Sequence, residues 1–363
     1  MSSRRSEGQS EHSDSLNGTK TATTRPQRPP TLREVASVAG VDVSTASRAL
    51  RTETRGTVKS ETLERVVATA EALGYRANPF ARGLKDHRSM TVGMLIPDLA
   101  NPLFPPIVRG IEDGLGEHGY VAILANTDMD PDRERHLLDL FLERRVDGLF
   151  LATALRSYPL IEKVVESRIP TVLVNRTMDD KRVSMVTTDD YHGMGLALRH
   201  LVNLGHKRIA FVGAAPSTST GYNRHKYFLA WMDRLGLPLD EELLVTAPWF
   251  NKQSGAEACD ELINRGREFT AIIAASDMIA LGCYSSLRAH GLKIPDDVSV
   301  VGYNGSRWCD EFNPPLTAVH VPKYDLGRAA ADLMLSLLQG PDTEPSRVFL
   351  DTSLQVREST RQI

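Results

Sequence analysis

Residues 31–50 read TLREVASVAGVDVSTASRAL, and this stretch decides how the rest of the chain divides. Thr31 and Glu34 stand three apart ahead of an apolar run, the pattern of a capping box: the threonine caps the third amide and the glutamate reaches back. Leu32, Val35, Ala36 and Ala39 repeat at helical spacing, and Gly40 stops the run. Asp42 can cap a second short helix, from Val43 to about Leu50. Two short helices joined by a tight glycine turn are a helix-turn-helix. A third helix is expected from about Ser60 to Leu73, ending at Gly74.

On the N-terminal side, residues 1–30 are rich in Ser, Thr, Arg, Gln and Pro and nearly free of apolar residues. Such a segment cannot bury enough surface to offset its ordering entropy, so a disordered tail is expected. On the other side, Asn78-Pro79-Phe80-Ala81-Arg82-Gly83-Leu84-Lys85 places Asn at an N-cap and Pro at the first helical position. That predicts one or two turns of helix, too short to be stable alone.

Beyond residue 90, apolar runs of strand length alternate with amphipathic helices. Strands are expected at Val92–Ile96, Val121–Ala125, Gly148–Leu151, Val172–Val174, Ile209–Val212, Ala271–Ala274 and Val298–Val301. Helices are expected near 107–118, 133–144, 191–204, 224–235, 254–265, 278–290 and 325–338. This alternation means parallel sheets covered by helices on both faces. It runs longer than one sheet usually carries, and its halves echo each other at Val92–Gly114 and Ile209–Leu235, so two similar lobes are expected. In such sheets ligands bind beyond the carboxyl ends of the strands, here a cleft between lobes.

Composition fits a globular protein. Of 363 residues, 41% are hydrophobic and 25% charged, and no apolar run reaches the ~20 residues that cross a bilayer. The N-terminus has no secretory h-region, and Cys259, Cys283 and Cys309 form no CxxC pair, so reduced thiols in a cytoplasmic protein are expected. The net charge of −3 hides an asymmetry. Residues 1–90 hold 15 basic against 10 acidic side chains, and the remainder 28 against 36. A basic head on an acidic body suits a first segment that meets phosphate.

Other function classes lack their signatures. There is no GxGxxG after a strand, no GxxxxGK[ST], no GxSxG and no HExxH, and the ten histidines are scattered, so catalysis, a metal or a cofactor is not expected. His206, in a connecting turn, reads as structural. A solute-binding protein of a transport system would need an export signal and no DNA-binding head.

Residues 31–50 resemble the head of the lactose-repressor (LacI/GalR) family of bacterial regulators. So do Leu73-Gly74-Tyr75-Arg76-Ala77-Asn78-Pro79, Ile96-Pro97-Asp98 with Asn101-Pro102, Leu204-Gly205-His206, the string from Ile294 to Gly302, and Pro314-Pro315-Leu316-Thr317. The motifs occur in the family's order from Thr31 to about Glu358. The resemblance implies an all-α helix-turn-helix head on an α/β sensor of the two-lobed, periplasmic-binding-protein-like type I. The head would span 31–77, the hinge helix and linker 78–90, and the sensor 91–358. Lobe 1 would take about 91–188 and 321–346, lobe 2 about 189–320 and 347–358. It also implies a regulator, usually a repressor, whose homodimer holds a pseudo-palindromic double-stranded operator and whose affinity answers to a small polar effector. A sugar or sugar derivative is the family default; a nucleobase, nucleoside or organic acid, as inducer or corepressor, is the alternative. Only Ser359 to Ile363 follow the last matched strand, so a dimer rather than a tetramer is expected.

The N-terminal residues of a recognition helix meet base edges in the major groove. Here those are Val43, Ser44 and Arg48, with Thr45 and Ser47 placed for backbone contacts. Arg48 can match guanine O6 and N7 with its fork, or instead make a phosphate contact or an intramolecular pair. The hinge completes the DNA-binding set with Asn78, Ala81, Leu84 and Lys85; Leu84 stands where the family wedges a leucine into the minor groove. The family's ligand pocket falls on Leu103, Phe104, Thr218, Thr220, Arg224, Phe250, Ser276 and Asn304, an apolar floor with convergent hydroxyl, amide and guanidinium groups. Asp189 falls at the lobe crossover and Asp277 at a helix start.

The sequence also departs from the family pattern. The Arg51–Thr57 loop is about two residues longer than usual. Lys59 replaces a capping Ser, which leaves Ser60 as the expected cap, and Gly83 lowers hinge helicity. Asn304 stands where Asp is usual, which keeps one acceptor and adds donors, and Thr218 is smaller than its counterpart in purine-responsive members.

Overall fold

The computed structural model describes residues 28–50, 54–75, 88–340 and 344–363. The expected tail up to residue 27 and the hinge residues Asn78, Ala81, Leu84 and Lys85 lie outside the described residues. The chain divides into two compact units, one ending at Ala81 and the other starting at Arg82.

In the first unit α1 spans Leu32–Val38, α2 Val43–Ala49 and α3 Ser60–Ala72. The capping box forms as expected: Thr31 N–H donates to Glu34 Oε2 at 2.6 Å, and Glu34 N–H to Thr31 Oγ1 at 3.4 Å. Gly40 turns between the helices at φ +65°, where a Cβ is unfavourable, and Asp42 caps α2. Val35, Ala36, Ala39, Ala46, Ala49, Val66 and Ala70 form the buried centre, with Leu50 packed against it. Alanines dominate because three short helices can approach closely only over small side chains. The expected cap of α3 is not made. Lys59 takes the N-cap position without a side-chain bond, and the Ser60 hydroxyl donates instead to Glu64 Oε1 at 3.3 Å.

The second unit holds two sheets. Lobe 1 contains β1 (Thr91–Ile96), α4 (Phe104–Gly116), β2 (Val121–Asn126), α5 (Pro131–Glu143), β3 (Gly148–Leu151), α6 (Ile161–Glu166), β4 (Thr171–Val174) and β5 (Ser184–Thr188). Lobe 2 contains α7 (Asp190–Asn203), β6 (Ile209–Ala214), α8 (Ser219–Arg234), β7 (Leu244–Ala247), α9 (Lys252–Asn264), β8 (Ala271–Ala274), α10 (Asp277–Ala289), β9 (Ser299–Asn304) and β10 (Thr317–His320). The chain then returns to lobe 1 for α11 (Lys323–Gln339) and β11 (Arg347–Leu350), and finishes in lobe 2 with β12 (Ser353–Gln355).

The sheet orders are β11-β5-β4-β3-β1-β2 and β12-β10-β9-β8-β6-β7. All pairs are parallel except β10 with β12. Parallel neighbours need crossover helices, so both faces are covered and β1, β3, β4, β6, β8 and β9 read as nearly unbroken apolar runs. One lobe boundary differs from the expectation. Residues 347–350 were assigned to lobe 2, but Arg347–Leu350 pairs with Met185–Thr188 and closes the sheet of lobe 1. The chain therefore passes between lobes three times, at 188–190, 320–323 and 350–353.

In lobe 1, α4 and α11 touch backbone to backbone. A Cβ on Gly110 would lie 2.2 Å from the Tyr324 carbonyl oxygen, and one on Gly327 2.1 Å from that of Ile107. Glycine is required on both helices. No described helix is long and apolar enough to cross a membrane.

Candidate functional site

In both lobes the first two strands run side by side and the third lies on the far side of the first, so the order reverses between β1 and β3 and between β6 and β8. At such a reversal the loops after neighbouring strands diverge and leave a crevice. The two crevices face each other across a cavity of about 250 Å³. Its walls come from the carboxyl ends of the strands: Pro97 and Asp98 after β1, Thr127 after β2, Thr153 after β3, and Asn175 and Arg176 after β4. Lobe 2 adds Ala215 to Arg224 after β6, Pro248 to Asn251 after β7, and Asn304 at the end of β9.

Seven of the eight sequence-predicted pocket residues come together here: Leu103, Phe104, Thr218, Thr220, Arg224, Phe250 and Asn304. Ser276 does not. It is buried as the N-cap of α10, its hydroxyl accepting from Ile279 N–H at 3.2 Å, and this capping role takes it out of the wall. Thr218 lines the cavity but also caps α8, accepting from Gly221 N–H at 3.1 Å. Asp189, expected at the lobe crossover, stands there and caps α7.

Arg224 is 1% exposed, and each of its three nitrogens donates one hydrogen bond. Nε donates to Asp190 Oδ1 at 3.2 Å, one terminal nitrogen to the Ala275 carbonyl at 2.6 Å and the other to Asn304 Oδ1 at 3.2 Å. Its plane lies 3.8 Å over the Tyr303 ring, whose hydroxyl also donates to Asp190 Oδ1 at 3.0 Å. Tyr303 reaches Asp190 only because position 193 is glycine; a Cβ there would lie 2.2 Å from the phenol oxygen. Burial raises the pKa of Asp190, and Arg224 and the Tyr303 hydroxyl oppose that rise.

Asn304, the last residue of β9, sits at φ +99°, and Asn175, the first residue after β4, at φ +57°. Asparagine tolerates this region better than most residues. The Asn304–Ser306 corner is held from two sides. The Asp277 carboxylate accepts from Gly305 N–H at 3.3 Å and Ser306 N–H at 2.7 Å. The buried Lys323 ammonium donates to the carbonyls of Asn304 at 2.6 Å, Gly305 at 2.8 Å and Val321 at 3.1 Å. Burial raises Asp277 and lowers Lys323.

Sequence reasoning missed Asn175, Arg176, Glu134 and Trp249 in the wall. Asn175 had a signal, since it stands at the carboxyl end of β4 as Asn304 does at that of β9 in the other half. Arg176 links the lobes: it donates to Thr220 Oγ1 and lies 5.6 Å from the Phe250 ring centroid. Burial, helped by nearby Arg224, pushes its guanidinium down to about 10. Two more bonds cross beside it, Thr177 N–H to Ser219 Oγ at 2.8 Å and Arg156 N–H to the Ser217 carbonyl at 2.9 Å. Two buried polar atoms in this wall, Asn175 Oδ1 and Arg176 Nε, have no hydrogen-bond partner among the described residues.

In the head, Asp42 takes up hydroxyls that sequence reading assigned to DNA. Its carboxylate accepts from Ser44 Oγ at 2.5 Å, Thr45 Oγ1 at 2.7 Å and Thr45 N–H at 2.9 Å, and these bonds hold it well below the usual carboxylate range. Arg48 is exposed and donates to Thr45 Oγ1 at 3.2 Å; Val43 is exposed and Ser47 half-buried. The side chains at the start of α2 thus bond to one another, and the exposed Arg48 guanidinium ends this chain of bonds at Thr45.

Known proteins share both parts. The family of bacterial regulatory proteins described as lacI matches residues 31–78, and a periplasmic binding protein-like domain matches 198–360. The helix-turn-helix transcriptional regulator RegA of Clostridium saccharobutylicum is 34% identical over 91% of this chain and 98% of its own length.

This chain belongs to the lacI family.

CelR of Thermobifida fusca, a transcriptional regulator, is 34% identical over 92% of this lacI-family chain and 99% of its own. Among solved structures, a lac repressor dimer bound to operator and an anti-inducer superposes with a TM-score of 0.81 at 25% identity, covering 92% of this chain and 100% of that one. A CelR–cellobiose complex does so with 0.71 at 32% identity, covering 91% and 99%. The lacI-family chain is a DNA-binding transcriptional regulator, not an enzyme.

Proposed function

We propose that the cleft takes a neutral polyhydroxylated ligand, a sugar or sugar derivative, and that its occupancy sets the affinity of a homodimer for a pseudo-palindromic operator, with the ligand-free form acting as repressor. One observation carries the ligand class: Asn175 Oδ1 and Arg176 Nε, an acceptor and a donor on adjacent residues, are buried without partners beside the Arg224–Asn304 pair. A hydroxyl, at once donor and acceptor, would satisfy both, and leaving either unpaired costs about 1–3 kcal/mol. Charge supports neutrality. Asp190 stands against Arg224, and Glu134 and Asp98 share the wall with Arg176. The cellobiose-bound relative points the same way, and the operator-bound lac repressor dimer supports the homodimer.

In this reading the ligand binds both lobes at once, because the bonding set spans Asn175 and Arg176 of lobe 1 and Arg224 and Asn304 of lobe 2. It therefore favours one lobe angle over another, and only such a differential can change operator affinity. The test is a thermal-shift screen of neutral sugars, sugar acids, nucleosides and organic acids, followed by operator titration. A neutral sugar should raise the melting temperature and release DNA, and Arg224→Ala should abolish both effects. A shift by organic acids alone would refute the ligand class. For the head, Arg48→Ala should lose specific operator binding and keep salt-dependent non-specific binding; equal loss on all sequences would make Arg48 a phosphate contact.

A further inference from the structure

The cleft is graded. At its deep end Arg224 and Asn175 are each 1% exposed, with Phe104 equally buried. At its rim Trp249 is 49% and Met129 39% exposed, although both line the same cavity. A half-exposed tryptophan is an apolar surface the fold itself does not use, and Trp249, between Pro248 and Phe250 in the loop after β7, lines the cavity. Met129 and Leu155 bring apolar surface to this cavity from lobe 1.

A polar group accompanies this apolar rim. Glu134 accepts from Tyr158 O–H at 2.6 Å and from the Thr153 hydroxyl, and both bonds go to Oε1. Its Oε2 receives no bond among the described residues, and Glu134 lines the cavity. The cleft thus has two stations. The inner one is nearly sealed, and its unpaired atoms are Asn175 Oδ1 and Arg176 Nε. The outer one has the half-exposed Trp249, and the same cavity wall carries the Glu134 Oε2. A pyranose has matching surfaces, an apolar face of C–H groups and an edge of hydroxyl donors.

Building on the saccharide reading of the cleft, we infer that the effector carries a second ring. Its first ring fills the inner station. The second ring lies against Trp249 at the rim and donates a hydroxyl to Glu134. Trp249 is then the residue that separates a disaccharide or longer glycoside from its component monosaccharide.

Tryptophan fluorescence and calorimetric titration test this with the full-length protein and with Trp249→Ala and Trp249→Phe. The probes are glucose, galactose and xylose, and their α- and β-linked disaccharides. Wild type should bind one disaccharide about tenfold or more tighter than its monosaccharide, a step of about 1.4 kcal/mol. Trp249→Ala should erase that margin while changing monosaccharide affinity less than about twofold, and Trp249→Phe should recover most of it. Because Trp249 is half exposed, the melting temperature of each free variant should match wild type. Equal affinity for one and two rings, or a disaccharide margin that survives Trp249→Ala, overturns the inference and leaves the saccharide reading standing. Binding of no saccharide at all overturns both.

Discussion

Lys323→Met keeps most of the side chain's length and removes the ammonium that holds the pocket corner. Nζ serves three carbonyls, and two keep another donor: Asn304 O still accepts from Val321 N–H at 3.1 Å, and Val321 O from Lys323 N–H at 2.8 Å. Gly305 O keeps only the His320 ring nitrogen at 3.3 Å. A bond from a charged donor is worth roughly 1.5–3 kcal/mol net. Against this stands the cost of keeping an ammonium out of water, several kcal/mol, which burial of Lys323 makes evident in its lowered pKa. The balance is an expected loss of about 2–4 kcal/mol in urea unfolding. Lys323 is also the cation that offsets the burial of Asp277. Asp277→Asn in the Lys323→Met background should therefore cost less than it does alone, with a coupling of about 1 kcal/mol or more. Effector affinity should fall with Lys323→Met, because Asn304 loses the support that fixes its left-handed backbone. Additivity of the two changes within about 0.5 kcal/mol, together with unchanged effector affinity, would refute the account of a corner held from both sides.

Two further outcomes follow from packing and protonation. Gly110→Ala puts a Cβ 2.2 Å from the Tyr324 carbonyl, so α4 and α11 must separate; thermal unfolding should show a loss of about 3 kcal/mol or more, and a loss under about 1 would mean the helices slide apart freely. His206 is buried between the Thr270 hydroxyl at 2.9 Å and the Arg361 carbonyl at 3.1 Å, and burial lowers its pKa below 6.5. The unfolded chain then binds the proton more readily, so this stability is present above about pH 6.5 and lost as pH falls through the folded value. His200, His225 and His320 are lowered too and act in the same direction. The urea midpoint should drop between pH 7.5 and 5.5, and less steeply in His206→Gln; a pH-independent midpoint would contradict the burial argument.

Local chemistry made the head legible. Thr31 with Glu34, then Gly40 and Asp42, each carry their bonding pattern in the residue type alone. The central strands were legible because parallel strands buried on both faces are apolar throughout. The strands not foreseen were β5, β7, β10, β11 and β12. Ser184–Thr188 and Thr317–His320 carry buried polar residues, while β7, β11 and β12 are short strands at sheet edges, and half or more of the side chains of β11 and β12 are exposed. Seven of the eight residues transferred by family position line one cavity, whereas Ser276 caps α10, because a helix cap and a ligand hydroxyl look alike in sequence. Arg176, Glu134 and Trp249 escaped because the cleft is assembled from loops after separate strands, and nothing in the order of residues says which loop tips will meet.

The three passages between lobes bear on how the protein is made. The head is complete once about the first 75 residues have left the ribosome. Lobe 1 must wait for α11, which covers α4 from more than two hundred residues downstream, and for its edge strand at Arg347–Leu350. Lobe 2 waits longer, for Ser353–Gln355 and for Ile363, whose N–H bonds the Leu204 carbonyl at 3.0 Å. During synthesis a finished DNA-reading head therefore precedes its sensor, because both lobes wait for elements that lie between Lys323 and Ile363.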